Sequence, residues 1–137
     1  MATKILLIED NEDSRLILLL MLKHFGYEAI GAATGPLGVE RAIAEKPDLI
    51  LMDLKLPGLD GIEACRTILQ KPTMAQTPII AYTAWHPHLF KRNAIDAGMV
   101  GYVQKPATIE SLQRTIEHFI SRAAIRRAIA SDQGEAA

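Results

Sequence analysis

Cysteine is nearly absent: Cys65 stands alone in 137 residues, so no internal disulfide can form. Long apolar runs are missing too. The longest, Leu16 to Leu22, falls far short of the roughly 20 residues that span a bilayer. Met1-Ala2-Thr3-Lys4 passes straight into strand-like sequence, leaving no room for a secretory leader. These absences predict a soluble, cytoplasmic protein with no membrane partner. Excess charge is lacking as well, with a formal net charge of -1. Lys and Arg are scattered apart from Arg122, Arg126 and Arg127, so no direct nucleic-acid partner is expected. No linker, low-complexity segment or internal repeat interrupts the chain.

Nearly half of the residues are hydrophobic, which excludes disorder and suffices for one buried core. Strand-length apolar stretches lie at Lys4-Ile8, Tyr27-Gly31, Asp48-Met52, Pro78-Tyr82 and Gly101-Val103. The first, third and fourth are nearly continuous Ile, Leu, Met and Ala, as in strands covered on both faces. Helical segments fall between them, at about Glu12-Phe25, Pro36-Glu45, Gly61-Gln70, Pro87-Ala97 and Thr108 to Ile129. Thr34 precedes Gly35-Pro36, where a first-turn proline is harmless. Thr108 caps the last helix without a full capping box, since Ser111 stands three residues on. Gly26 and Gly98 sit where a left-handed residue closes a helix. Strict alternation predicts an α/β fold, a doubly wound parallel sheet.

Sites in such sheets form at the carboxyl ends of the strands. Glu9 and Asp10 follow the first strand and Asp53 follows the third, so these carboxylates converge on one crevice. They repel one another unless a cation compensates, and hard oxygen ligands suit Mg²⁺. Thr83 ends the fourth strand with a hydroxyl, and Lys105 follows the fifth with an ammonium. A carboxylate nucleophile, a divalent metal, a hydroxyl and a lysine together describe phosphoryl transfer. Taken singly, each of these residues is more often an ordinary strand-end or turn residue; the joint placement is what carries the reading.

With these residues in view, the chain resembles the CheY-like receiver domain of bacterial response regulators, from about Lys4 to Ser121. The resemblance rests on Ile-Leu-Leu-Ile-Glu-Asp-Asn-Glu-Asp (5–13), Met-Asp-Leu-Lys-Leu-Pro-Gly-Leu-Asp-Gly (52–61), Tyr-Thr-Ala (82–84) and Gly-Tyr-Val-Gln-Lys-Pro (101–106). It implies a flavodoxin-like (βα)5 fold with strand order 2-1-3-4-5. It also implies a receiver domain over residues 1–124, with a helix extension and frayed tail over 125–137. Asp53 resembles the aspartate that takes phosphate from a histidine kinase or phosphotransfer protein. Asp10 resembles the direct ligand of Mg²⁺, with Glu9 acting through water and Lys55 through its backbone carbonyl. Thr83 and Lys105 match the phosphoryl-binding pair, and Lys105-Pro106 the cis peptide. Tyr102 matches the switch aromatic that turns inward when Thr83 moves, altering the face of the fourth helix, fifth strand and fifth helix. The implied output is binding of a downstream protein whose identity the sequence does not give. The resemblance implies a signalling switch with its own phosphorylation and dephosphorylation chemistry, not a conventional enzyme.

Several positions depart from the family pattern. Glu9 replaces the commoner Asp. Tyr82 stands where a small or aliphatic residue is usual, so packing of the fourth strand is expected to differ. Trp85 and Lys55, each two residues beyond a site residue, are placed to alter water access and phosphate lifetime in a direction left open. On the first helix, Ile17, Leu18, Met21, Leu22 and Phe25 are expected to face the sheet. Leu16, Leu19 and Leu20 are then left outward for a partner or homodimer contact. His86 and His88 flank Pro87 and read as solvated loop residues rather than metal ligands. Cys65 reads as a packing residue.

Other classes fit less well. A haloacid-dehalogenase-type phosphatase needs a second Asp where Lys55 stands. A nucleotide or flavin site needs a glycine-rich loop where Glu9-Asp10-Asn11 stands. The remaining alternative is a pseudo-receiver, the same fold acting as a phosphorylation-independent interaction module.

Overall fold

Ile5, Leu6, Leu7 and Ile8 are each at most 1% exposed, and Leu49 to Met52 are all fully buried. Two such runs can be covered only if helices lie on both sheet faces. The computed structural model describes residues 2–136, with the backbone alone for 131–136. It places β1 (Lys4–Ile8), α1 (Glu12–His24), β2 (Glu28–Ala32), α2 (Gly35–Glu45), β3 (Leu49–Met52) and α3 (Gly61–Leu69) in turn. After one 3-10 turn at Pro72–Met74 come β4 (Ile79–Thr83), α4 (Pro87–Asp96), β5 (Gly101–Gln104) and α5 (Ile109–Ala136).

All five strands are parallel, in the order β2-β1-β3-β4-β5. This is the doubly wound α/β arrangement that the alternation predicts, and it divides the core in two. Leu6, Ile8, Ile50, Met52, Ile79 and Ala81 meet one cluster, together with Ala64, Cys65 and Ile68 of α3. Ile5, Leu7, Leu49, Leu51 and Ile80 meet the other, with Leu18 and Leu22 of α1 and Leu112 and Ile116 of α5. Neighbouring strand residues alternate between the two, as the period of two requires.

The helices start on side chains that satisfy otherwise orphaned amides. Asn11 accepts from the Ser14 N–H, Thr34 from Leu37, Asp60 from Glu63 and Thr108 from Ser111, at 2.9 to 3.1 Å. Gly26 and Gly98 close α1 and α4 at φ of +97° and +109°. α5 continues past Ile129, where the apolar pattern ends, to Ala136. The expected fraying falls on 131–137, whose side chains lie outside the described residues. Among the described residues no helix is long and apolar enough to cross a membrane.

The expected facing of α1 needs correction. Ile17 is 58% exposed, while Leu19 is half-buried and packs against the core with Met21 and Phe25. At 100° per residue the inward stripe centres on Leu18, Leu22 and Phe25, which leaves Ile17 beyond one edge and Leu19 within the other. Gly31 of β2 decides the second case, because its missing Cβ would lie only 3.0 Å from Leu19 Cδ1. Leu16, Ile17 and Leu20 are thus the outward residues, and Leu19 leaves the candidate partner contact.

Candidate functional site

Because the strands are parallel, their carboxyl ends share one rim, and the sequence candidates meet there. Glu9 and Asp10 follow β1, Asp53 follows β3, Thr83 ends β4 and Lys105 follows β5. Carboxylate oxygens of Glu9, Asp10 and Asp53 lie within 4.8 Å of one another. Glu9 is 2% exposed and Asp53 8%, while Asp10 is exposed. Burying like charges this closely is costly without a counter-charge. Lys105 supplies one. Its Nζ donates to Glu9 Oε1 at 2.8 Å and to Asp53 Oδ2 at 3.2 Å.

The backbone fixes each group. Gly61 begins α3 with its N–H on the Leu54 carbonyl at 2.9 Å. A Cβ there would meet Asp53 O at 2.2 Å, so only glycine lets α3 come this close behind Asp53. The Lys55 N–H donates to Asp53 Oδ1 at 3.1 Å, orienting the carboxylate. The Lys105 N–H donates to the Thr83 carbonyl at 2.8 Å, and Lys105-Pro106 is cis, as the resemblance implied. Arg15 of α1 donates to the Glu9 carbonyl at 3.0 Å, a tie with no local sequence signal.

Electrostatics separate the two buried acids. Burial, reinforced by Asp53, pushes Glu9 up to about 7 against the pull of Lys105. Burial also opposes ionisation of Asp53, but Glu9, the Thr83 hydroxyl, the Lys105 ammonium and the Lys55 N–H outweigh it. The Asp53 carboxyl is held below its ordinary range, so it is the better-ionised member of the pair. Lys105 loses some basicity to burial, yet Glu9 and Asp53 more than restore it, so it remains an ammonium.

A divalent cation fits this donor set. Glu9 Oε2 is buried with no hydrogen-bond partner among the described residues, and the neighbouring donors are carboxylate oxygens. Hard oxygen ligands with one orphaned buried atom suit Mg²⁺.

The flanking residues form a second layer. Thr83 is fully buried, and its Oγ1 accepts from the Trp85 N–H at 3.3 Å. The half-buried Tyr102 donates through its hydroxyl to the Trp85 carbonyl at 3.0 Å. The Trp85 ring stacks on Phe90 of α4, with centroids 4.4 Å apart. His86 is not idle: its Nδ1 accepts from the His88 N–H at 3.0 Å and caps α4. Sequence reasoning missed that role because histidine is an uncommon cap. Tyr82, noted only as standing where a small or aliphatic residue is usual, lies under Lys105, with Nζ 5.2 Å from the ring centroid.

Known proteins share this arrangement. The profile of the response regulator receiver domain matches residues 5–117. Response regulator ArlR of Staphylococcus saprophyticus is 39% identical over 120 residues, covering 88% of this chain and 53% of that protein. Transcriptional regulatory protein PdtaR of Mycobacterium tuberculosis is 38% identical over 135 residues, covering 98% of this chain and 63% of that protein. The chain thus spans between half and two-thirds of the length of these relatives. Among solved structures, the receiver domain of the sensor histidine kinase PA1611 from Pseudomonas aeruginosa superposes with a TM-score of 0.82 at 36% identity, covering 88% of this chain and 99% of that one. That structure holds a magnesium ion in its active-site cleft. The chemotaxis protein CheY4 of Vibrio cholerae gives 0.83 at 25% identity, covering 87% and 99%. With fold, rim chemistry and sequence in agreement, the chain belongs to the response regulator receiver domain family.

Proposed function

We propose that Asp53 accepts a phosphoryl group from a histidine kinase or phosphotransfer protein and that the phosphorylated domain binds a downstream protein. The observation that carries this reading is the bridge from Lys105 to both Glu9 and Asp53, beside the orphaned Oε2 of Glu9.

An Asp53 oxygen is ionised and oriented by the Lys55 N–H, as a nucleophile must be. The new O–P bond forms as the donor's N–P bond breaks, and the leaving imidazole takes up a proton. Lys105 stands where it can turn from the carboxylates to an equatorial phosphoryl oxygen. Thr83 uses its oxygen to accept from Trp85, and its O–H, which here favours the ionised Asp53 carboxylate, would turn to the phosphoryl group. Glu9, Asp10 and Asp53 would hold Mg²⁺, with Lys55 supplying its backbone carbonyl. When bound, the ion neutralises charge on the acids and on the transferring group.

Transmission follows from the hydrogen bonds around Trp85. Thr83 and Tyr102 hold the same residue, one on its N–H and the other on its carbonyl. A dianionic group that draws Thr83 across disturbs Trp85 and, through it, Tyr102 and the α4–β5–α5 face.

The test is intact-protein mass after incubation with acetyl phosphate, with and without Mg²⁺, on wild type and Asp53→Asn. A Mg²⁺-dependent single-phosphate adduct, absent from the variant, is expected. No adduct under conditions that label a control receiver would overturn the reading in favour of an unphosphorylated interaction module.

A further inference from the structure

We propose that Tyr82 is a positioning residue for Lys105, its ring face holding the ammonium where it reaches Glu9 and Asp53 together. The inference rests on the reading of Asp53 as phosphoacceptor and deepens it by naming what sets the lysine.

The placement follows from register. In the β4–β5 pair Tyr82 stands opposite Val103, and both pack with Ile80 on the α1–α5 side of the sheet. Side chains alternate along a strand, so Lys105, two residues beyond Val103, emerges on that same side. Its N–H is already tied to the Thr83 carbonyl at 2.8 Å, which sets the root of the side chain beside Tyr82. Its Nζ then lies 5.2 Å from the ring centroid, inside the roughly 6 Å over which a ring face attracts a cation.

Three groups therefore surround the ammonium at short range: Glu9 at 2.8 Å, Asp53 at 3.2 Å and the Tyr82 ring, with its centroid at 5.2 Å. The carboxylates are the groups whose charge changes when metal or phosphate arrives. The ring is the one partner whose attraction stays constant through those changes. Lysine has a long stem with many rotamers, and its side chain here is 22% exposed, so water competes for the ammonium. A ring beneath it narrows that search before the phosphoryl group is present, which is preorganisation in the usual catalytic sense.

A ring acting through its π face predicts that Phe serves as well as Tyr and that an aliphatic residue does not. The experiment uses the full chain as wild type, Tyr82→Phe, Tyr82→Leu and Tyr82→Met, the last a second ring-free side chain in case Leu fails to fold. Two readouts are taken on each. The first is the rate of phosphorylation by acetyl phosphate with saturating Mg²⁺. The second, needing neither phosphate nor metal, is the NMR shift of the Lys105 ε-methylene protons, assigned through Lys105→Met.

The expected result is an upfield ring-current shift in wild type and Tyr82→Phe, lost in the folded ring-free variant. Phosphorylation slows roughly three- to tenfold in that variant and returns to the wild-type rate with Phe. An unshifted wild-type signal would overturn the proposal, as would equal rates across the series or a Phe variant as slow as Leu. If wild type takes no phosphate at all, the phosphoacceptor reading fails, while the NMR series still decides whether Tyr82 sets Lys105.

Discussion

The hydroxyl of Tyr102 donates a 3.0 Å hydrogen bond to the backbone carbonyl of Trp85. A side chain of β5 is thereby fastened to the loop that leaves β4, beside Thr83. Tyr102→Phe removes this bond and nothing else of size. We expect unfolding free energy to fall by about 1 kcal/mol. Emission of Trp85, the one tryptophan, should shift as its loop loosens. A urea titration followed by fluorescence reads both; identical midpoints and spectra would sever Tyr102 from the loop.

Lys105 is the counter-charge of two buried acids. Lys105→Met keeps a stem of similar length and strands Glu9, whose side chain is 3% exposed. The expected loss is about 1–2 kcal/mol, that of a broken hydrogen bond, because Glu9, already raised to about 7, takes up a proton rather than staying charged. In a Glu9→Gln background the same substitution should cost clearly less. Chemical denaturation of the four proteins closes this cycle, and an equal cost in both backgrounds would refute the coupling.

Gly61 tests how tightly α3 is seated. An added Cβ would lie 2.2 Å from Asp53 O and 2.7 Å from Leu54 Cα, both backbone atoms that cannot rotate aside. Gly61→Ala is expected to destabilise by roughly 2–3 kcal/mol, as overpacking does. It should also disturb the Asp53 amide resonance. A variant with wild-type stability and an unmoved Asp53 amide would contradict the close approach.

The facing of α1 makes a paired prediction. Leu19→Ala removes a side chain packed against Gly31 and the core and should cost about 1–2 kcal/mol. Leu20→Ala, at a residue 67% exposed, should fall within about 0.5 kcal/mol of wild type. Thermal or urea unfolding of the two variants distinguishes them, and the reverse order would restore the facing expected from the sequence.

Cys65 is fully buried, and burial pushes its thiol up to about 12 from an ordinary 9.0. The folded state therefore holds its proton more tightly than the unfolded chain. This contribution to stability is complete below pH 9 and is lost as pH rises from there toward 12. At pH 8.5 the native thiol should resist iodoacetamide and react only as fast as the chain opens. Alkylation at the rate of a free thiol would show the site to be open.

Much of this was readable in the residues themselves. The buried interiors of β1, β3 and β4 are continuous apolar runs, and the acids, the threonine and the lysine each stand at a strand end. What stayed hidden depends on contacts between elements. Leu16 to Leu22 are all apolar, so the run has no contrast from which to read a phase, and Gly31 on another element places Leu19. Tyr82 meets Lys105 only through the pairing of β4 with β5, which no local pattern encodes. Arg15 reaches a backbone carbonyl, an acceptor that every residue offers. His86 caps α4 with a ring nitrogen, outside the usual cap vocabulary.

A sheet whose strands all run one way also sorts its connections into two sets. Glu9, Asp10, Asp53, Lys55 and Lys105 all belong to the set that leaves the strands, Thr83 ends β4 at the same rim, and none belongs to the set that enters them. The turns at 25–27, 46–48, 75–78 and 97–100 carry none of these residues. Foreign sequence spliced between Ala75 and Gln76, both exposed, lengthens a connection at an entropic cost that grows only slowly with its size. A reporter inserted there would ride on the domain at the end of the sheet opposite Asp53.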